Sequence, residues 1–190
     1  NLRDADEGSA TSSISDILSY PESNIRHPVN KALLLRVDRG GDVTFHGPGQ
    51  LTCYPIIDLS RKCSDGNIIW KQDLHWYLRK VEDVVIDVLA SYGVEGTRDE
   101  RGTGVWTSKG KISQVGVGCS GWITRHGFAI NVTRRCMPYF KEIIPCGISA
   151  DVGGVTCLED VIGADISIPE VAERVAHSFA KVFECEIKKL

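Results

Sequence analysis

Between Arg39 and Gln50 the chain reads RGGDVTFHGPGQ, twelve residues that hold four glycines, one proline, one histidine and one arginine. Glycine loses more backbone freedom on folding than any other residue, so a fold that keeps this density must use the close approach glycine permits. The block lies between two apolar runs, Lys31 to Val37 (KALLLRV) and Leu51 to Leu59 (LTCYPIIDL), both of which read as strands. His46-Gly47-Pro48-Gly49 reads as a turn between them. Two interpretations stay open. The block is a glycine-rich hairpin with a surface arginine, or its glycines let backbone N–H groups meet an extended ligand and form one wall of a binding groove.

The rest of the chain supplies helices and further strands. From about Trp70 to Tyr92, the residues Leu74, Leu78, Val81, Val85, Val88 and Leu89 recur at three- and four-residue steps, with Gly93 as a stop. That spacing predicts a core-packing helix. Gly104 to Thr107 and Lys111 to Val117 flank Ser108-Lys109-Gly110, a hairpin signature, and Gly127 to Val132 (GFAINV) reads as another strand. Ser167-Ile168-Pro169-Glu170 is a capping box with Pro169 at the first helical position, ahead of Val171, Val175 and Phe179 on one face. The expected class is α/β, with a mixed, largely antiparallel sheet. A length of 190 residues, 42% of them hydrophobic, suits one domain with a real core. Residues 1–23 mix acids with Ser, Gly and Thr and read as a mobile arm. The expected division is a variable N-terminal segment over 1–30, whose first residue Asn1 suggests a processed or truncated start, and one domain over 31–190.

Composition narrows the partners. Lys and Arg total 22 against 25 Asp and Glu, so no global positive field draws the chain to nucleic acid or to an anionic membrane. The longest apolar runs fall far short of the ~20 residues of a membrane span, and a soluble protein is expected. Seven cysteines, at 53, 63, 119, 136, 146, 157 and 185, form no C-x-x-C and cannot pair completely, which favours a reducing compartment. The five histidines make no zinc-spaced cluster, so no metal is expected. Gly104 to Lys111 (GVWTSKGK) has five residues between its glycines where a P-loop has four, and Ile112 replaces the magnesium-binding hydroxyl. No G-x-G-x-x-G precedes a helix, so nucleotide binding has little support.

Cys146 lies in Ile143-Ile144-Pro145-Cys146-Gly147-Ile148, where proline and glycine fix the chain direction on both sides of the sulfur. The other six cysteines read as small buried hydrophobes, and Cys146 is either another of these or an oriented, exposed thiol. A nucleophilic thiol needs help, because a pKa near 8.5 leaves little thiolate at neutral pH. His46, His126 or a lysine are candidate helpers, and spacing does not choose among them. Lys111 opens the apolar strand KISQVGV, either as an ordinary strand-start lysine or as a desolvated amine able to shuttle protons.

Four blocks together resemble one family, the octanoyltransferases of lipoate synthesis, also called lipoate-protein ligase B. They are RGGDVTFHGPGQLTCYPIIDL (Arg39 to Leu59), GVWTSKGKISQVGV (Gly104 to Val117), HGFAINV (His126 to Val132) and IIPCGI (Ile143 to Ile148). The resemblance covers about residues 31–160 and implies the α/β fold shared by biotin ligases and ATP-dependent lipoate ligases. It makes 31–190 the catalytic domain, Cys146 the acyl-thioester cysteine and Lys111 the lysine that activates it. It also implies an acyl-substrate groove lined by Arg39, Gly40, Gly41, Asp42, Val43, Thr44, Phe45 and His46, by Gln114, Val115 and Gly116, and by Gly127, Phe128 and Ala129. The family usually has Ala after the Lys-Ile pair and Arg after Gly-Val, where this chain has Ser113-Gln114 and Gly118, departures that bear on the shape of the groove near the acyl chain. The family's helix and strands ahead of the Arg-Gly-Gly block do not show in residues 1–30.

The implied reaction moves an octanoyl group from octanoyl-acyl carrier protein to Cys146. The group then passes to a lysine of a lipoyl domain, on a 2-oxoacid dehydrogenase subunit or the glycine cleavage H protein. The donor thioester already carries the activation, so neither ATP nor another cofactor is expected. Two other classes are an ATP-dependent lipoate or biotin-type protein ligase and a non-catalytic module that only binds acylated carriers. The stretch Leu74-His-Trp-Tyr-Leu-Arg79 resembles plant-type members, which points to the mitochondrial matrix or plastid; a bacterial chain would be cytoplasmic.

Overall fold

The structure is a computed structural model that describes residues 25–26, 33–35, 37–41, 43–67, 69–100, 102–140 and 154–188. Its centre is a five-stranded, wholly antiparallel sheet of β3 (Gln50–Cys53), β7 (Ile123–Asn131), β6 (Gly110–Ser120), β5 (Gly102–Thr107) and β4 (Thr97–Asp99), in that spatial order. Two long helices, α1 (Leu74–Ala90) and α4 (Ile168–Phe183), pack on each other and on one face of the sheet. A 3₁₀ turn at Arg134–Cys136 leads into a short α2 (Met137–Phe140), and α3 (Leu158–Ile162) precedes α4. A small separate ribbon pairs β1 (Ile25–Arg26) with β2 (Leu33–Leu34).

The helical periodicity produces the core it predicts. Val81, Val84, Val85, Val88 and Leu89 of α1 and Val171, Val175 and Phe183 of α4 are buried against Val105, Ile112, Val115, Phe128 and Ile130 of the sheet. Burying a side chain of this size contributes roughly 1.5–3 kcal/mol. Phe183 closes the end of this layer, with the rings of Trp70, Trp76, Tyr77 and Phe179 around it.

Several boundaries differ from those expected, each for a local reason. Helix α1 begins at Leu74 rather than near Trp70 because the Asp73 side chain accepts from the backbone N–H of His75 and Trp76 and caps it. In α4 the Ser167 side chain accepts from the Glu170 N–H, which puts Pro169 second rather than first in the helix. The Glu170 carboxylate does not complete the box; it takes bonds from Tyr92 and Arg174. The run from Leu51 to Leu59 keeps its ladder only to Cys53, since Pro55 has no N–H to give. Pairing resumes where Ile57 N–H donates to Thr124 Oγ1 at 2.8 Å and Asp58 bridges to Ile123. Strands β5, β6 and β7 are longer than their apolar cores suggested. Of the run from Lys31 to Val37, only Leu33–Leu34 is a described strand, and β1, β4 and α3 were not anticipated. The arm over 1–23 lies outside the described residues.

Candidate active site

The register separates the two faces of the sheet. Val105, Ser113 and Ile130 form one cross-strand row and Val115 pairs with Phe128; these side chains turn toward the helices. The adjacent row is Gly104, Gln114, Ala129 and Thr52, and Gly116 pairs with Gly127. Neighbouring residues of a strand point to opposite faces, so these positions lie away from α1 and α4. Glycine and alanine at four of these six positions leave the backbone of this face open to close approach.

Lys111 stands at one end of the face. It is 1% exposed, and its Nζ lies 5.4 Å from the centre of the Trp106 ring. A β-carbon on Gly104 would come within 2.7 Å of Lys111 Cε and 3.4 Å of Nζ, so the lysine side chain extends across Gly104. Gly104 has φ +131, and its N–H donates to Glu82 Oε1 at 3.0 Å. Glu82 is itself buried in α1 and bonded at 2.8 Å to both Arg79 and Arg98. A fully buried carboxylate between two guanidinium groups therefore fixes the strand on which Lys111 rests.

The backbone of Lys111 is paired as well. Its N–H donates to the Gly154 carbonyl at 3.2 Å, and its carbonyl accepts from Thr156 N–H at 2.9 Å, a parallel bridge centred on Val155. A buried polar chain extends from this bridge. Asn131 donates to the Thr156 carbonyl at 2.9 Å and accepts from Gln50 Nε2 at 2.8 Å, while Gln50 hydrogen-bonds the His46 imidazole. His46 keeps exposed surface, yet burial lowers its pKa; the Gln50 hydrogen bond opposes that shift and Arg39 reinforces it.

The glycine-rich block crosses the other end. Gly40 N–H donates to the Val117 carbonyl at 3.0 Å, and a β-carbon on Gly116 would lie 2.8 Å from the Gly40 carbonyl oxygen and 3.0 Å from Arg39 Cδ. Asp38 pairs with Arg125 at 2.9 Å. Phe45 stacks on Tyr139 at 4.4 Å, meets Phe140 edge-on at 5.8 Å, and packs on the cluster of Cys136, Cys157, Met137 and Val155. Gly127 permits the crossing of β3, since any β-carbon there would sit 2.1 Å from the Cys53 carbonyl oxygen.

The structure thus brings Lys111, Gln114, Gly116, Gly127 and Ala129 onto one face, with Arg39, Gly40 and Phe45 beside it. Gly41, Val43 and Thr44 belong to the same strip, and Thr44 Oγ1 is buried without a hydrogen bond among the described residues. Val115 and Phe128 turn their side chains into the helix-side core, which leaves only their backbone for a ligand. Asp42 and Cys146 lie outside the described residues. Residues 141–153 join Phe140, which Phe45 contacts, to Gly154, which Lys111 holds. His126, a candidate helper, packs instead against Tyr54.

The other cysteines behave unequally. Burial pushes the Cys136 thiol up to about 12 and those of Cys53 and Cys157 up to about 11, and it raises Cys185 as well. Cys63 is exposed, contrary to its reading as a buried hydrophobe. Among the described residues no group of three or more His, Cys, Asp or Glu side chains is placed to hold a metal, and no helix is long and apolar enough to cross a membrane.

Sequence reasoning missed Gln50, Asn131, Thr156 and Glu82. Asn131, within the apolar GFAINV, was the one visible signal, because a polar side chain in a buried strand must find a partner.

Comparison with known proteins identifies the family and the fold. Residues 22–180 match the family model of the lipoyl protein ligase A/B catalytic domain. The chain is 45% identical over 155 residues to an octanoyltransferase of Gloeobacter violaceus, covering 80% of this chain and 64% of that protein. Other relatives at 40–48% identity carry the same name and are mostly bacterial. The chain spans less than two thirds of the length of these relatives. Its fold is similar to lipoate-protein ligase A bound with ATP (TM-score 0.58, 15% identity, 80% of this chain and 59% of the other). It is also similar to the biotin protein ligase of Aquifex aeolicus (TM-score 0.51, 17% identity, 72% and 53%). With a family model matched over residues 22–180 and a fold like that of lipoate and biotin ligases, the chain belongs to the lipoyl protein ligase A/B catalytic domain family.

Proposed function

We propose that this chain is an octanoyltransferase. It takes an octanoyl group from a thioester on acyl carrier protein to Cys146 and passes it to a lysine of a lipoyl domain. The observation that carries the reading is the bridge that ties the buried Lys111 to residues 154–156, on the sheet face away from α1 and α4. Cys146 lies six residues after Phe140 and eight before Gly154 in sequence, so the chain that bears it is tied to that face at both ends. Four of the other cysteines are pushed away from the thiolate form, which supports Cys146 as the nucleophile. The 45% identity to an octanoyltransferase supports the acyl group and the acceptor.

In the first transfer the Cys146 sulfur attacks the donor carbonyl carbon, the bond to the pantetheine sulfur breaks, and that thiol leaves with the proton. Lys111 takes the proton from Cys146 and returns it to the leaving sulfur. In the second, the acceptor amine attacks the enzyme thioester, an amide forms, and the Cys146 thiol is regenerated. The donors and acceptors are those of the sequence reading, octanoyl-acyl carrier protein and the lipoyl domains of 2-oxoacid dehydrogenase subunits or the glycine cleavage H protein. Relatives that are mostly bacterial support a cytoplasmic site over the matrix or plastid.

Intact-mass spectrometry tests this. Incubation with octanoyl-acyl carrier protein and no ATP adds one octanoyl mass to the wild type and none to Cys146→Ser. An adduct that persists in Cys146→Ser, or product formed only from free octanoate and ATP, overturns the reading.

A further inference from the structure

Gln50 and Asn131 face each other across β3 and β7, 9% and 0% exposed, and both polar atoms of each carboxamide are bonded. Gln50 Oε1 accepts from the Gly47 N–H at 3.3 Å, and Gln50 Nε2 donates to Asn131 Oδ1 at 2.8 Å. Asn131 Nδ2 donates to the Thr156 carbonyl at 2.9 Å, and the Thr156 N–H donates to the Lys111 carbonyl at 2.9 Å. Every bond of this series points the same way, from the glycine-rich turn to Lys111. Backbone fixes the direction at both ends, since the Gly47 N–H can only donate and the Thr156 carbonyl can only accept. Positions 50 and 131 must each accept on one edge and donate on the other, which neither a carboxylate nor an alkyl group can do. The two strands do not need this series to stay together. Their ladder runs from Gln50–Asn131 to Cys53–Phe128, and the Gly49 carbonyl takes the N–H groups of Val132 and Thr133. A buried polar pair adds little net stability over an apolar pair of the same shape, so its use lies in what it orients. The ladder between β6 and β7 stops at Ser113 and Ile130, short of Lys111, and the bridge to Val155 takes over there. That bridge is what the carboxamides hold.

We propose that Gln50 and Asn131 are positioning residues for Lys111: their carboxamides set residues 154–156, and through them the start of β6, against the glycine-rich turn. The inference rests on the acyl-transfer reading above, in which Lys111 moves the proton. Both side chains are spent on protein partners, so their effect reaches the reaction only through the groups they place. Loss of such placement lowers kcat and leaves KM nearly unchanged, and a shift of about 1 Å caused by a remote change can cost roughly 10²-fold.

The test follows octanoyl transfer from octanoyl-acyl carrier protein to a lipoyl domain, with amide hydrogen exchange at Thr156 as a second readout. Asn131→Asp keeps the bond from Gln50 but has no donor for the Thr156 carbonyl. Gln50→Glu keeps the bond from Gly47 but has no donor for Asn131. Each lowers kcat by roughly 10²-fold with KM little changed, and each speeds exchange of the Thr156 amide, at a temperature where circular dichroism shows the variant folded. Two double variants decide the matter even where an acid variant does not fold. Gln50→Asn with Asn131→Gln keeps both carboxamides and their summed length, and recovers most of the kcat that either exchange alone loses. Gln50→Met with Asn131→Leu keeps the volume without the bonds and recovers none of it. A Met/Leu pair as active as the Asn/Gln pair overturns the proposal, because filling space would then be enough. So does a loss carried by KM alone, or an Asn131→Asp variant with wild-type kcat and unchanged Thr156 exchange. A wild type that transfers no octanoyl group, while Thr156 exchange still quickens in the variants, overturns the acyl-transfer reading and leaves the carboxamides as the support of the Lys111 bridge.

Discussion

Lys111 lies across Gly104 so closely that a single methyl group on that glycine would contact its Cε at 2.7 Å. The same methyl would meet the Ser113 carbonyl oxygen at 2.3 Å, so strand and lysine side chain both close over this glycine.

Gly104→Ala is therefore expected to cost more activity than stability alone explains. Octanoyl adduct formation, followed by intact mass, falls at least tenfold at a temperature where circular dichroism shows the variant still folded. Gly66→Ala is the control. It also has a positive φ but meets nothing within 4 Å, so it strains the backbone without touching the site and leaves the adduct rate near wild type.

Glu82 joins two arginines to the backbone of Gly104 from a buried position. Removing the carboxylate leaves two guanidinium groups without it, though both retain solvent. The expected loss for Glu82→Ala is about 1–3 kcal/mol, the cost of leaving the buried Gly104 N–H without its acceptor. Glu82→Gln keeps an acceptor for the Gly104 N–H and loses less. Urea denaturation that places both variants within 0.5 kcal/mol of wild type, roughly the scatter of surface substitutions, would remove Glu82 from this role.

Acid should weaken the contact between α1 and α4 at Asp87. A hydrogen bond from Lys181, with a second from Ser178, holds its carboxyl below the usual value of 3.8. The folded pKa lies below the unfolded one, so the stabilisation is fully present above about pH 4 and is lost as the pH falls through the folded value. Asp87→Asn flattens the dependence of the melting temperature on pH below 4. An unchanged slope would show that the contact does not titrate with folding.

Thiol labelling separates the cysteines. At pH 7.5, iodoacetamide followed by peptide mapping should modify Cys63, which is exposed, and Cys146, if it is the activated nucleophile. Cys136 and Cys157, buried and raised to about 12 and about 11, should stay unmodified until the protein unfolds.

The helices and the central hairpin were legible because burial repeats at fixed spacing, as Val81, Val85 and Val88 do on α1 and Val171 and Val175 on α4. Their ends were less so, since Asp73 and Pro55 act through one hydrogen bond made or one donor missing. Lys111 stood out as a cation at the start of an apolar strand, and its burial follows from that place. The link from His46 through Gln50, Asn131 and Thr156 to Lys111 was not legible. It joins residues up to 110 positions apart whose types are common in any loop, and only the pairing of β3 with β7 brings them together. The value of Glu82 was equally hidden, because an acid one step along from Val81 reads as the solvent side of a helix until β4 and β5 cover it.

Gly127 also bears on how such a chain can vary. With a carbonyl oxygen 2.1 Å from the only place a side chain could start, every other amino acid would push the end of the border strand β3 off β7. A randomised library at that codon should return a single survivor. The adjacent His126, at φ +58, should return chiefly glycine, asparagine and aspartate beside itself, so two neighbouring positions of one strand are restricted for different reasons, the first by space and the second by backbone.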